Sequence, residues 1–236
     1  MLNTINLIAA CTLCVCSTGS FAQNLMPETL QNVAQLSSSG SVDVQQDLLS
    51  ISMSTTISGA DANTVQTQLK QALDAALVQA KKAATADQMD VRTGNFSLYP
   101  RYAKDGKING WQGTTELVLE GKDFPRITST AGKIQTLTLG SVNFALSRQQ
   151  RAQVEGEAQT LAIERFKVKA AEVAKSFGFS GYSLREVSIA ANDQGYSPRP
   201  RMMSMQVKTE MSDSPIAVEA GKSTVVVSVS GSVQMK

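Results

Sequence analysis

Histidine is absent from this chain of 236 residues, and the three cysteines all lie near the start, at Cys11, Cys14 and Cys16. Histidine is the usual general base near neutral pH, and cysteine is the most reactive neutral nucleophile. Beyond Cys16 the chain therefore cannot build Ser-His-Asp or Cys-His machinery. Zinc, blue-copper and haem sites with histidine ligands are excluded for the same reason. Glycine-rich phosphate loops of the forms GxxxxGK and GxGxxG are missing as well.

The charged residues provide no evidence for catalysis or for a charged partner. A carboxylate pair, as in glycosidases, is the remaining route to hydrolysis, but the acids are scattered over predicted helix and loop surfaces. Lys and Arg number 22 against 20 Asp and Glu, and a net charge of +2 predicts neither nucleic acid nor anionic lipid as a partner. We therefore expect a protein that is not an enzyme, with no cofactor, no metal and no identified small-molecule substrate.

The first 22 residues have the pattern of a cleavable signal peptide. An apolar run covers Leu7–Cys16, and the small side chains of Ser20 and Ala22 suit the narrow pocket of a signal peptidase. We expect cleavage between Ala22 and Gln23, which removes every cysteine and delivers the protein to the periplasm. Lipid attachment at Cys11 is one alternative. A retained anchor is another, although the run is shorter than the about 20 residues that span a bilayer.

Hydrophobic periodicity predicts the elements of the first half. Strict alternation over Asp47–Ile57 indicates a half-buried strand. Apolar residues recur at three- and four-residue spacing over Val65–Ala80, which predicts a helix capped by Ser58 or Asp61. The pair Asp105–Gly106 favours a hairpin turn between two further strands.

The second half continues with a helix over Asp123–Thr136, a strand with Val142, Phe144 and Leu146 facing inward, and a long helix over Gln149–Phe177. A strand over Ser183–Ala190, a flexible loop at about 192–221 and a valine-rich strand over Ser223–Met235 follow. The long helix carries an Ala-rich stripe, for which packing on a sheet and packing on a partner helix are both open. Ala158, Ala162, Phe166, Ala170, Val173, Ala174 and Phe177 form this stripe.

Together these elements predict an α+β fold. It consists of two intimately joined strand-helix-strand halves with mostly antiparallel sheets, covered by helices on one face. No linker separates the halves, so residues 23–236 are expected to form a single compact unit.

Two groups of side chains are candidates for binding. Tyr99, Arg101 and Tyr102 lie on one arm of the predicted hairpin and Trp111 on the other, where aromatic residues usually pack across strands. Ligand stacking is the alternative for them. The second group lies in the loop, where thioethers suit Cu(I) and exposed methionine is reversibly oxidised. This predicts, as an alternative function, copper(I) binding or oxidant scavenging by Met202, Met203, Met205 and Met211.

The hairpin also carries a family resemblance. Residues 93–102, TGNFSLYPRY, and 106–111, GKINGW, resemble the central signature of SIMPL-domain proteins, also called domain of unknown function 541. Segments similar to other parts of that family are 39–42, 142–147 and the valine-rich end, so the likeness covers about Val33 to Gln234. The signature positions are Asn95, Phe96, Ser97, Tyr99, Pro100, Arg101, Tyr102, Gly110 and Trp111.

The resemblance implies a location in the periplasm or at the outer membrane. It also implies a role in oxidative or envelope stress for some members, immunogenicity in others, and large ring-like or channel-like homo-oligomers in some. The family has no established catalytic residues, so none is assigned here. We expect an exported protein that self-associates through the Ala-rich stripe and exposed strand edges, with peripheral association with the outer membrane.

Overall fold

The computed structural model describes residues 31–192 and 217–236, which form seven strands and three helices. Their order along the chain confirms the predicted succession of elements, and all strand pairs are antiparallel. The α+β fold class is therefore confirmed. The strands are β1 (Val33–Gln45), β2 (Leu48–Gly59), β3 (Met89–Tyr102), β4 (Ile108–Gly121), β5 (Thr138–Ala145), β6 (Tyr182–Asn192) and β7 (Lys222–Met235). The helices are α1 (Ala62–Ala83), α2 (Phe124–Lys133) and α3 (Arg148–Ser176).

Four strands form one sheet in the order β3-β4-β2-β5, with α1 and α2 packed on one of its faces. The alternation in β2 explains this arrangement, because Leu49, Ile51 and Met53 all point into the core beneath the helices. The serines between them lie on the other face. There, cross-strand hydroxyl pairs link Ser52 with Ser141 at 3.0 Å and Thr56 with Thr114 at 2.9 Å.

The other three strands form a sheet in the order β1-β7-β6, with α3 on one face. Strand β7 pairs with β1 from Val33 opposite Gln234 to Gln45 opposite Lys222. The two ends of the described chain therefore meet in this sheet, and the four-stranded sheet is inserted between β1 and α3 in sequence. Periodicity alone does not reveal that pairing, because alternation shows which face of a strand is buried and leaves its partner open.

The Ala-rich stripe of α3 packs against its own sheet. Ala158, Ala162 and Ala170 are fully buried, and a Cβ atom added at Gly40 on β1 would lie 2.7 Å from the backbone nitrogen of Ala162. The small side chains thus let the helix approach β1 closely. Core packing is confirmed, and the expectation that this stripe contacts a partner helix is wrong because the stripe is already covered.

One member of the predicted stripe does not belong to it. Phe177 is 71 % exposed, because it caps the helix after Ser176 and lies past the last buried alanine of the stripe. Gly178 follows with a φ of 82°, which confirms the predicted left-handed residue after the helix end.

The helix boundaries differ little from those predicted, with one exception. Asp61 caps α1, since its carboxylate accepts the backbone N–H of Thr64 at 2.7 Å. Helix α2 ends at Lys133, three residues before the predicted Thr136. The reason is tertiary, because Ile134 adopts an extended conformation and is buried in the core of the four-stranded sheet.

None of the helices within the described ranges is long and apolar enough to cross a bilayer.

Candidate functional site

The β3–β4 hairpin brings all the signature positions together. Strand β3 carries seven of them, and β4 carries Gly110 and Trp111 on the facing arm. Trp111 lies directly opposite Pro100, and Tyr99 lies opposite Gln112. The turn contains Gly106 with a φ of 78°, which confirms the hairpin predicted from Asp105–Gly106.

A β-bulge explains the first part of the signature. The pairing of β3 with β4 skips from Thr93 to Phe96, which leaves Gly94 and Asn95 outside the regular ladder. The carboxylate of Glu116 accepts the backbone N–H of Asn95 at 3.2 Å and thereby satisfies a donor that the bulge leaves unpaired. A Cβ atom at position 94 would meet the Glu116 side chain, which would have to move away from the bulge to accommodate it.

Close backbone contact explains Gly110. A Cβ atom on this residue would lie 2.9 Å from the carbonyl oxygen of Gly59, the last residue of β2. Strand β2 therefore ends against the base of the hairpin, and its final pair joins Gly59 to Trp111. Residues 101–110 extend past this point without β2 beside them.

The side chains at the far end of the hairpin are exposed. Tyr99, Tyr102 and Ile108 are 65 %, 64 % and 53 % exposed, and Tyr102 lies opposite Ile108. Among the described residues the one aromatic ring contact joins Phe124 to Phe144 and involves none of these tyrosines. Their cross-strand neighbours are therefore not other aromatic rings, but Gln112 for Tyr99, Ile108 for Tyr102 and Pro100 for Trp111. Ligand stacking by these rings stays a prediction.

A second cluster joins the two sheets. The carboxylate of Asp47, between β1 and β2, accepts the backbone N–H and the hydroxyl of Ser147, each at 2.6 Å. Ser147 is the N-cap of α3, and its hydroxyl oxygen accepts the backbone N–H of Gln150. Lys122 lies 3.6 Å from the same carboxylate. This cluster fixes the start of α3 on the connection between the sheets.

The same contacts set the ionisation of Asp47. Partial burial acts to raise the pKa of this carboxyl, but the two hydrogen bonds from Ser147 and the charge of Lys122 outweigh burial, so the pKa of Asp47 is lowered. Asp47 is thus an ionised structural group at neutral pH. Its contacts with Ser147 and Lys122 hold the start of α3 and the end of β4 against the β1–β2 connection, so Asp47 has a structural role.

An apolar row lies along β6. Leu184, Val187 and Ile189 stand opposite Val233, Gly231 and Val229 of β7, and opposite residues in an antiparallel pair share a face. The valines of β7 are buried beneath α3, so the row faces the same side. Yet its three side chains are 43 to 52 % exposed. The helix packs over β1 and β7, and no described element covers the row on β6.

The opposite edge of this sheet, strand β1, is covered by charged side chains. Arg165 and Lys169 of α3 donate to the carbonyl oxygens of Ser39 and Ser37 on β1, at 2.7 and 2.9 Å. Charged side chains on strand carbonyls block the addition of another strand. The β1 edge is therefore protected, in contrast to the apolar edge at β6.

Some predicted sites lie outside the described residues. Met202, Met203, Met205 and Met211 are in the undescribed range 193–216, and Ala22 and Gln23 precede residue 31. The copper, oxidant and cleavage hypotheses stay predictions. Within the two described ranges, no group of three or more acidic, histidine or cysteine residues is placed to hold a metal ion.

Comparison of the sequence with protein families gives one clear match. A family model described as SIMPL, a protein of unknown function (DUF541), matches residues 34–233. The chain belongs to the SIMPL family. The match runs from β1 to β7, so both sheets and all three helices of the structure are parts of the SIMPL domain.

Comparison with solved structures and curated proteins adds little. AtUAH in complex with (S)-hydroxyglycine has a TM-score of 0.26 and 15 % identity over 55 % of this chain. AtUAH in complex with glyoxylate has a TM-score of 0.25 and 16 % identity over 56 %. The SIMPL chain covers 34 % of each of those chains, and scores this low carry no argument about fold or function. Curated proteins gave no match.

Sequence reasoning missed two features of this SIMPL domain. The tie between Asp47 and Ser147 joins residues 100 positions apart, and only the capping role of a serine before a helix could be read locally. The apolar row on β6 is obscured in sequence, because a bulge between Leu184 and Glu186 breaks the alternation. Its exposure depends on where α3 lies, which no local pattern contains.

Proposed function

We propose that this SIMPL protein is an exported, non-enzymatic periplasmic protein that self-associates through the apolar row Leu184, Val187 and Ile189 on the edge strand β6. The observation that carries the proposal is an eleven-residue edge strand whose apolar side chains face the helix side and stay exposed. Long apolar edges promote pairing with another chain, and proteins that remain monomeric usually block them with charge or cover.

The contrast between the two edges supports this choice. Arg165 and Lys169 protect the β1 edge, whereas the exposed apolar side chains of β6 lie next to buried valines of β7. A second copy placed on β6 would continue the valine core of the sheet. The Ala-rich stripe is already buried within the chain, so the edge strand is the better surface for association.

The non-enzymatic part rests on the side chains that the chain offers. Beyond Cys16 it has neither cysteine nor histidine, and Asp47 is engaged in structural contacts. Export and a role in envelope or oxidative stress rest on the signal-peptide pattern and on the family resemblance. Sequencing the N-terminus of the protein from a periplasmic fraction tests export, and a start at Gln23 is the expected result.

Lysine substitutions on the two faces of β6 test the interface. Val187→Lys places a charge within the apolar row, and we expect it to weaken association at least about tenfold, since burial of a valine contributes roughly 1.5 kcal/mol or more. Ser188→Lys is the matched control, because Ser188 is exposed on the same strand but on the other face. Sedimentation velocity measures both variants.

The two variants separate the possible results. Assembly of the Ser188→Lys variant with loss of assembly in Val187→Lys supports the edge. Equal assembly of Val187→Lys and the unmodified protein would exclude this row as the interface.

A further inference from the structure

The end of the hairpin is a ribbon of two strands without a neighbour. We define the hairpin tip as residues 99–110. Strand β2 ends at Gly59 opposite Trp111, so most of the tip extends past the four-stranded sheet. An isolated two-stranded ribbon buries little apolar surface, and large exposed apolar side chains on it indicate a surface that meets a partner.

The turn of the tip is nevertheless held in a defined shape. Ala103 donates its N–H to the carbonyl of Lys107 at 2.8 Å, and Gly106 donates to the carbonyl of Ala103 at 3.0 Å. The carboxylate of Asp105 also accepts the N–H of Lys107 at 3.2 Å. A turn fixed by these bonds presents its side chains without a large loss of entropy on binding.

The tip also concentrates charge. Arg101, Lys104 and Lys107 stand against Asp105, a net charge of +2, which equals the net charge of the whole chain. Arg101 and Lys104 make no ion pair with any described residue, and the Lys107–Asp105 pair at 3.8 Å has side chains 85 % and 58 % exposed. An exposed ion pair of this kind contributes little free energy, so Lys107 can still interact with a partner.

We propose that the hairpin tip docks on the surface of a membrane that contains anionic phospholipid. Tyrosine is enriched at the boundary between lipid headgroups and hydrocarbon, where its ring is buried and its hydroxyl stays hydrated. The exposed side chains of Tyr99, Tyr102 and Ile108 supply that apolar contact. The three cations lie within the same ribbon and would meet lipid phosphates. The small net charge of the whole chain gives no hint of this partner, because it does not show that three cations lie within the twelve residues of the tip.

The proposal goes beyond self-association and concerns a different surface. The apolar row lies on β6 in the three-stranded sheet, whereas the tip belongs to the four-stranded one. A lipid-binding defect can therefore be separated from an assembly defect. Variants in the tip are expected to keep the assembly state of the unmodified protein, and Val187→Lys keeps all the side chains of the tip.

Co-sedimentation with lipid vesicles tests the proposal on the chain from Gln23 onward. We expect binding to vesicles of phosphatidylethanolamine and phosphatidylglycerol, with loss of binding at high salt and little binding to phosphatidylcholine alone. Changing Arg101, Lys104 and Lys107 together to Gln should lower the partition coefficient roughly 100-fold, since each cation near an anionic surface contributes about fivefold. Tyr102→Ser with Ile108→Ser should weaken binding at unchanged charge.

The matched control removes three cations elsewhere. Lys70, Lys81 and Lys82 are exposed on α1, and their change to Gln alters the net charge by the same amount. This control should bind vesicles like the unmodified protein. Emission of Trp111, the only tryptophan, and thermal unfolding verify that each variant is folded.

Three results would overturn the proposal. They are absence of binding to anionic vesicles by the unmodified protein, equal loss of binding in the α1 control, and a change in solution mass caused by the tip variants. The last result would assign the tip to contacts between copies of the chain.

Discussion

At the scale of single residues, Gly40 lies where α3 comes closest to β1. A methyl group there would press on the carbonyl oxygen of Ala158 and on the nitrogen of Ala162, which are both backbone atoms. We predict that Gly40→Ala destabilises the protein by about 2 kcal/mol, because the helix must move away from the strand. Thermal unfolding should show a loss of about 4–8 °C.

Gly156 is the matched control for this change. It lies on the exposed side of α3, and a Cβ atom there meets nothing within 4 Å. Gly156→Ala should therefore raise stability by about 0.5–1 kcal/mol, since alanine is the better helix former. Equal effects at both positions would contradict the close contact at Gly40.

Two neighbouring threonines on β4 make a second test. The hydroxyl of Thr115 is buried and has no hydrogen-bond partner among the described residues, whereas that of Thr114 bonds to Thr56 at 2.9 Å. We predict that Thr115→Val stabilises the fold by about 1 kcal/mol, because it removes an unsatisfied polar group without changing the shape. Thr114→Val should change stability by less than about 0.5 kcal/mol. Urea unfolding of both variants measures the difference.

At the scale of elements, the contacts of Asp47 connect the start of α3 with the β1–β2 connection and with Lys122. The pKa of Asp47 is lowered by folding, so its ionised form stabilises the protein fully above the unfolded pKa of about 3.9. That contribution is lost as the pH falls through the lower folded pKa. The fold should therefore weaken at acidic pH in part through this residue.

The variant Asp47→Asn tests this pH dependence. We predict a loss of about 1–2 kcal/mol at pH 7, because the amide cannot replace both charge-assisted bonds to Ser147. The difference from the unmodified protein should shrink as the pH falls below about 4. Asp74→Asn, an exposed change on α1, is the control. If the difference in the free energy of unfolding stays constant with pH, the ionised form of Asp47 does not stabilise the fold.

Most elements could be predicted from local pattern. The alternation in β2 and the helical spacing in α1 each report burial of one face, and the structure shows those faces buried. The end of α2 could not be predicted, because Ile134 leaves the helix to fill the core. The signature glycine Gly110 was visible in sequence, but the reason for it, the close carbonyl oxygen of Gly59, depends on a contact between strands.

At the scale of the whole molecule, the sequence predicts the fold class and the β3–β4 hairpin but not the other strand pairings. Both terminal strands of the described chain, the serine-containing β1 and the valine-rich β7, are half-buried, and burial of one face does not specify the partner strand. Their pairing leaves β6 as an edge, and the position of α3 leaves its apolar row exposed. The candidate interface thus arises from topology and could not be found in local sequence.

The distribution of charge is also a property of the whole chain. A net charge of +2 predicts no anionic partner when it is spread evenly, but the hairpin tip places three cations and one acid on a projecting ribbon. The apolar row on β6 and the hairpin tip are therefore two separate surfaces, one proposed for self-association and one for membrane binding. An assembly built through β6 would carry several hairpin tips, and binding of several tips to one membrane would increase overall affinity.

Self-association through β6 can be tested by the mass of the unmodified chain in solution. The protein from Gln23 onward should be measured by light scattering after size exclusion, over a range of micromolar concentrations. We predict a uniform species of two or more copies that dissociates in the Val187→Lys variant. A single copy at every concentration would contradict it.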